Sequence, residues 1–212
     1  MNLIKYAVAT TCLFLTVGTQ AATVNIDLSG VASSTIINGV GAAFSERFDG
    51  QSIVGAALTG TPNTPLALAA GGSIFVAFWN PGVSAASNSL LAQPGNTAPL
   101  AILLDSDADS FSWTMGFSDS GSTINYSLFS TSGSLVGSGS VTMGSGYNNY
   151  SLSGLPAFRG IAFSDNNDSA GVRFQNMSYT TVATAVPEPG TYALMLAGLG
   201  LVGGFSRRQR KV

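Results

Sequence analysis

The stretch Phe111-Ser-Trp-Thr-Met-Gly-Phe117 alternates large apolar side chains with small or polar ones. Residues at every second position of an extended chain lie on the same face, so Phe111, Trp113, Met115 and Phe117 form one apolar face. A strand with one apolar and one polar face is typical of an antiparallel sheet that covers a core on one side. The stretch therefore predicts a half-buried strand of an all-β protein.

Other short segments rich in Val, Ile, Phe, Tyr and Thr have the same character and are separated by Gly, Asn, Asp and Pro. They are residues 22–28, 73–79, 123–130, 135–143, 149–152, 159–164 and 171–179. No convincing helical period appears between them, and many short strands without helices are best accommodated by two packed sheets. The sequence predicts an antiparallel β-sandwich, with Asn80 to Pro99 as a long internal loop or as a boundary between two smaller domains.

The end of the chain has a different composition. Pro187-Glu188-Pro189 precedes seventeen uncharged residues, Gly190 to Ser206, and a basic cluster then follows. The basic residues are Arg207, Arg208, Arg210 and Lys211. A membrane span needs about 20 apolar residues, so this segment predicts a short apolar helix whose basic end stays in the cytoplasm. The two prolines favour an extended backbone for the tripeptide Pro187-Glu188-Pro189, and an extended segment fits a protease cleft.

This order of motif, apolar run and basic cluster resembles the PEP-CTERM sorting signal of Gram-negative bacteria. The resemblance covers 186–212 and implies an exosortase as partner, with Pro187, Glu188 and Pro189 as its recognition motif. It also implies a precursor that is anchored in the inner membrane and then sorted to the cell surface or the extracellular medium. An ordinary C-terminal anchor with a Pro-containing loop is the alternative interpretation.

The first 21 residues predict a secretory signal peptide, whose apolar part is expected to be helical. Lys5 is followed by an apolar stretch from Tyr6 to Val17, and small residues precede Ala22. An uncleaved anchor is the alternative, although the stretch is short for a span. Secretion machinery is therefore an expected partner, and 22–185 is the expected β-sandwich domain.

Without both termini, the domain contains only Arg47, Arg159 and Arg173 against nine carboxylates, a net charge of −6. An acidic domain without lysine argues against nucleic acid as a partner. The chain has no His, and its one cysteine, Cys12, lies in the leader. Imidazole- and thiol-based catalysis, imidazole metal sites and thiolate zinc sites are therefore excluded from the domain. A hydrolase with two carboxylates stays open, but the sequence favours a protein that is not an enzyme.

Asp105, Asp107 and Asp109 alternate along the chain. In a curled loop they would converge on Ca²⁺, the only cofactor to which the sequence points. Ser110 replaces the turn glycine of an EF-hand and Gly116 its last acid, so the motif is not an EF-hand. A solvated acidic turn is the alternative. Asp165-Asn-Asn-Asp168 is a second oxygen-rich turn with the same two interpretations.

Residues 106–179 also resemble, in pattern and strand order, the jelly-roll domains common in PEP-CTERM proteins. Gln175-Asn176 stands where those domains often have Asp-Asn, which removes an acidic residue from the last strand. Trp79, Tyr147 and Tyr150 lie next to Gly- and Asn-rich turns and are the candidate exposed aromatics for a sugar ligand. The sequence thus predicts a jelly-roll-like surface or matrix protein with a structural or adhesive role among exopolysaccharides. A lectin-like carbohydrate-binding module, with or without a requirement for calcium, is the alternative.

Overall fold

Extended backbone dominates the structure, as the alternating sequence predicts. The computed structural model describes residues 19–32, 34–55, 57–71, 74–79, 82–87, 99–118, 121, 123–165, 172–185 and 194–201. These residues divide into two units, one formed by Ala21–Val182 and the other by both chain termini. The predicted all-β, antiparallel class is confirmed, and the predicted apolar helix near the end of the chain is present as residues 194–201, here α1.

The strands of the larger unit are β2 to β14. They are Thr23–Asn25 (β2), Ile37–Asn38 (β3), Ala42–Ser45 (β4), Ser52–Val54 (β5), Ala57–Thr59 (β6), Ile74–Trp79 (β7), Gly82–Ser87 (β8), Leu100–Ser118 (β9), Thr123–Phe129 (β10), Leu135–Thr142 (β11), Gly146–Leu152 (β12), Phe158–Asp165 (β13) and Arg173–Thr181 (β14). Strand β8 lies inside the stretch predicted as a long loop, so that prediction was wrong for 82–87. Its sequence, G-V-S-A-A-S, has few of the β-branched and aromatic residues that indicate a strand.

Strand β9 connects two layers. Its first half, from Leu100 to Leu104, pairs with β13 on one side and β4 on the other. Its second half pairs with β12 and β14. Strands in globular proteins rarely exceed about 10 residues, and β9 reaches 19 because its halves belong to different layers.

The first layer, called here the first sheet, is ordered β3, β4, β9, β13, β10 and β11. The second sheet contains β12, β9 and β14, and β14 also pairs with β8 and β2. Strand β7 extends the second sheet beyond β8. All these pairings are antiparallel, so each sheet can bury one face and leave the other for solvent or a covering segment.

The core fills the space between the two sheets. Phe163 of the first sheet contacts Trp113 and Phe174 of the second, with ring centroids 5.1 Å and 4.8 Å apart. Phe111 also contacts Phe163, at 6.3 Å. Each such side chain contributes about 1.5–3 kcal/mol of folding free energy by leaving water. The alternating face that Phe111, Trp113 and Met115 were predicted to form is therefore buried.

The outer face of the first sheet is covered by the chain itself. Phe48 and Leu66, which come from the segment between β4 and β7, pack with Ala101, Phe129 and Ala162 in a second, smaller core. Phe48 meets Phe129 edge to face, with centroids 5.5 Å apart. The first sheet is thus covered on its outer face where β9, β10 and β13 meet this smaller core, whereas the outer face of the second sheet is lined by polar side chains.

The smaller unit contains the remaining described elements. Strand β1, Thr19–Gln20, pairs antiparallel with β15, Thr184–Ala185. Every residue of α1 is exposed, including the apolar Leu194, Met195 and Leu196. Within the described part of the chain, no helix combines the length and apolar character needed to cross a membrane. Residues 1–18, where the signal helix was predicted, lie outside the described part.

Candidate functional site

The second sheet presents its polar positions in rows across β12, β9 and β14. One row consists of Asn149, Thr114 and Gln175, and the next of Ser151, Ser112 and Ser178. These residues alternate with the buried Trp113 and Phe111, so they lie on the opposite face of the sheet. Asn149 and Ser151 are exposed on this side, whereas Thr114 and Gln175 are buried. We call this side of the sheet the polar face.

Thr114 holds two amide side chains in place on the polar face. Its hydroxyl donates to Asn149 Oδ1 at 2.7 Å and accepts from Asn176 Nδ2 at 3.3 Å. The hydroxyl has one proton, so it donates to one amide and accepts from the other, and the two amides present opposite ends away from Thr114. Asn149 turns its NH₂ group outward and Asn176 its carbonyl oxygen, and both residues are exposed whereas Thr114 is only 7 % exposed. Asn149 thus offers a donor beside the acceptor of Asn176, and we call these two residues the amide pair.

A backbone irregularity in β14 places Asn176 in the amide pair. The register between β14 and β9 shifts between Gln175 and Ser178, which is a β-bulge. Asn176 has φ of 50°, a left-handed conformation that Asn tolerates better than most residues. The bulge turns the Asn176 side chain toward Thr114, on the neighbouring strand.

Tyr147 lies next to the amide pair, over a glycine. A Cβ added to Gly116 would lie 2.5 Å from Cγ and 2.7 Å from Cε1 of Tyr147, so only glycine leaves room for this ring. Tyr147 is two residues from Asn149 on the same strand and therefore shares its face. Its side chain is half-buried. Tyr147 thus forms an aromatic surface about 7 Å along the strand from the amide pair.

Tyr150, the second candidate aromatic, does not join this face. Tyr150 stacks on the buried Trp113, with centroids 5.7 Å apart and an interplanar angle of 22°. Its hydroxyl accepts a hydrogen bond from the Gly144 backbone N–H at 3.1 Å, and the residue is half-buried rather than exposed. Trp79 ends β7, and its side chain lies outside the described part of the structure.

Asp105, Asp107 and Asp109 lie within β9, where the strand passes from one sheet to the other. The acidic turn considered from the sequence is therefore incorrect, because the chain stays extended through these residues. Asp107 Oδ1 accepts from Thr131 Oγ1 at 3.2 Å and lies 3.7 Å from Arg159 Nη1. Among the residues with described positions, no group of three or more carboxylates could hold a metal ion. The calcium site stays a prediction.

Asp165 ends β13, and residues 166–168 of the second oxygen-rich turn lie outside the described residues. The same is true of the tripeptide Pro187, Glu188 and Pro189 and of the basic residues Arg207, Arg208, Arg210 and Lys211.

Tyr179 is a buried titratable residue on the inner side of the second sheet. It is 2 % exposed, and its hydroxyl donates to the Gly41 carbonyl at 3.1 Å. Burial, and secondarily the negative charge of Asp105, raises the pKa of this phenol above its ordinary value. The group therefore stays protonated and serves the core as a hydrogen-bond donor.

The sequence predicted Tyr147 as a candidate site residue but not its neighbours Thr114, Asn149 and Asn176. The alternation of β9 does place Thr114 opposite the apolar face, and that signal is present in the sequence. The bulge that turns Asn176 toward Thr114 depends on how β14 pairs with β9. The contact between these two residues therefore has no local sequence signature.

One family model matches the sequence, and several solved structures are distantly similar to the chain. No curated protein is detectably similar to the chain. A solved structure of a mutant of CBM29-2, a family 29 carbohydrate-binding module, has a TM-score of 0.38 and 11% sequence identity. That similarity covers 80% of this chain and 99% of the other. Residues 185–211 match the PEP-CTERM protein-sorting motif, which marks this chain as an exported, exosortase-sorted protein.

Proposed function

We propose that this protein is a surface or extracellular-matrix protein whose β-sandwich acts structurally or adhesively and is not an enzyme. The sorting motif at 185–211 carries this proposal, because such a signal delivers its cargo out of the cytoplasm. The absence of His and of any cysteine beyond Cys12 supports a non-catalytic cargo. An exopolysaccharide is the partner we propose at the final location.

The proposed route begins with the secretion machinery and a leader of residues 1–21. The sandwich, residues 22–185, is then held at the inner membrane by the tail of 186–212 until an exosortase acts. The exposed Leu194, Met195, Leu196, Leu199 and Leu201 of α1 favour an apolar environment for this tail, since water solvates such side chains poorly. The basic cluster, Arg207 to Lys211, would stay on the cytoplasmic side.

Removal of the carboxylate from the sorting motif tests this route. We expect Glu188→Gln, or deletion of 207–211, to leave an unprocessed precursor in the membrane fraction of a host that has an exosortase. The measurement is the mass and location of the protein by immunoblotting. Asp27→Ala, which removes an exposed carboxylate from the sandwich, is the control and should be processed normally. Normal processing of both tail variants would refute the sorting route.

A second candidate function is carbohydrate binding by the polar face, in the manner of a lectin. The observation that favours it is the amide pair of Asn149 and Asn176 beside the ring of Tyr147. A sugar offers C–H groups that pack on an aromatic ring and hydroxyls that need both donors and acceptors. Because Thr114 orients both amides before any ligand arrives, little side-chain entropy would be lost on binding.

A glycan array with and without calcium, followed by titration calorimetry of any hit, tests this function. We expect Tyr147→Ala and Asn149→Ala each to weaken binding about tenfold or more, which corresponds to 1.4 kcal/mol. Asn148→Ala is the matched control, because Asn148 is adjacent to Asn149 but on the opposite face of β12. Loss of binding on calcium removal would favour a role for Asp105, Asp107 and Asp109. Equal effects of the Asn148 and Asn149 variants would contradict the assignment to the polar face.

A further inference from the structure

Strand β11 forms an edge of the first sheet. It pairs with β10 from Leu135 to Thr142, and no other described strand pairs with it. Its outer side therefore offers a row of backbone N–H and C=O groups to another strand. Eight residues make this a long edge compared with β3, the two-residue strand at the opposite end of the same sheet.

Apart from a β-bulge at Val136, the edge lacks the features by which proteins usually prevent pairing. Such edges are commonly protected by charged side chains, especially lysine, or by proline. Residues 120–158, which include all of β11, contain no Asp, Glu, Lys or Arg, and β11 contains no proline. The residues with outward exposure on β11 are small, apart from Leu135, which is 57 % exposed.

We infer that the outer edge of β11 pairs antiparallel with β11 of a second copy of this protein. A strand can pair antiparallel with its own copy about a two-fold axis, so one edge supplies both halves of the interface. The net charge of −6 makes most approaches of two copies unfavourable, whereas the uncharged edge avoids this repulsion. Delivery of many copies to one surface raises their local concentration, which favours a weak contact of this kind.

Identical copies are the occupant that the observations favour over another protein or a polysaccharide. A continuous row of backbone donors and acceptors is satisfied by a strand of matching length, which a sugar cannot supply. The pairing uses neither Tyr147 nor the amide pair, so it is independent of carbohydrate binding.

Sedimentation of the mature protein over a range of concentrations tests the inference. We expect a dimer that dissociates on dilution, and we expect Ser138→Lys and Ser140→Lys to be monomeric at concentrations where the wild type is dimeric. Both serines are exposed, so the added charges oppose each other across the pairing without entering the core. Ser52→Lys, at an exposed position of β5, is the matched control and should dimerise like the wild type.

Hydrogen exchange of the wild type gives a second measurement that needs no substitution. We expect amides of 135–142 to exchange more slowly at concentrations that favour the dimer, with little change elsewhere. A wild type that stays monomeric at all concentrations would overturn the inference. So would a dimer that survives both lysine substitutions or that protects another region of the chain.

Discussion

At the scale of single residues, Tyr179 shows how burial changes the chemistry of a side chain. Its ring lies in the core and its hydroxyl donates to the Gly41 carbonyl. A phenolate at this position would lack solvation by water and would be repelled by the negative charge of Asp105. Burial and this neighbour therefore raise the phenol pKa. A raised pKa in the folded state means that the unfolded chain loses this proton first as the pH rises. The contribution of Tyr179 to stability is therefore complete below pH 10.0, the ordinary tyrosine value, and declines above it.

Tyr179→Phe separates the hydrogen bond from the titration. At pH 7 we expect the free energy of unfolding to fall by about 1 kcal/mol, because the Gly41 carbonyl loses one of its two donors and keeps only the Asp105 backbone N–H. Above pH 10.0 the variant should lose stability less steeply than the wild type, because its side chain has no proton to release. Urea unfolding at several pH values measures both effects. In Asp105→Asn, the free energy of unfolding should fall less steeply above pH 10.0 than in the wild type, because one cause of the raised pKa is removed. Parallel curves of unfolding free energy against pH for the wild type and Tyr179→Phe would contradict this account.

At the scale of elements, β9 shows what alternation can and cannot predict. The pattern from Phe111 to Phe117 correctly predicts a strand with Trp113 and Met115 in the core. The strand begins much earlier, at Leu100, and the three aspartates between its halves resemble a turn in the sequence. They remain extended because the chain must run from the first sheet into the second, and that continuity depends on partners distant in sequence. Between Phe158 and Gly160, β13 advances two residues while β9 advances five, which marks the crossing.

The polar face was predictable to a similar extent. Composition indicates that Tyr147 and Asn149 lie near a turn, and alternation places Thr114 away from the core. The amide pair forms only when β12, β9 and β14 align in register and the bulge turns the Asn176 side chain toward Thr114. Local sequence encodes which residues are polar, whereas pairing between distant strands determines which of them meet.

At the scale of the whole molecule, the two termini and the sandwich follow different rules. The C-terminus is recognisable as a sorting signal because a receptor reads it as linear sequence, and the match at 185–211 confirms it. The signal peptide of 1–21 stays a prediction. The sandwich has no comparable linear motif, because its face is assembled from three strands. The contacts that close the sandwich also lie near its ends. Thr181 N donates to the Ala22 carbonyl at 2.9 Å, and Ala22 N donates to Thr181 Oγ1 at 3.0 Å.

These bonds predict where the chain can be shortened without loss of stability. Val182 N donates to the Asp107 carbonyl at 3.0 Å, and the larger unit ends at this residue. We expect a protein of 22–182 to unfold at the same temperature as one of 22–185, the predicted domain. A protein of 22–179 loses the three bonds made by Ala22, Thr181 and Val182, at about 1 kcal/mol each, so its midpoint should fall by roughly 6–12 °C. Thermal unfolding followed by circular dichroism measures all three midpoints. A lower midpoint for 22–182 than for 22–185 would place the end of the folded domain beyond Val182.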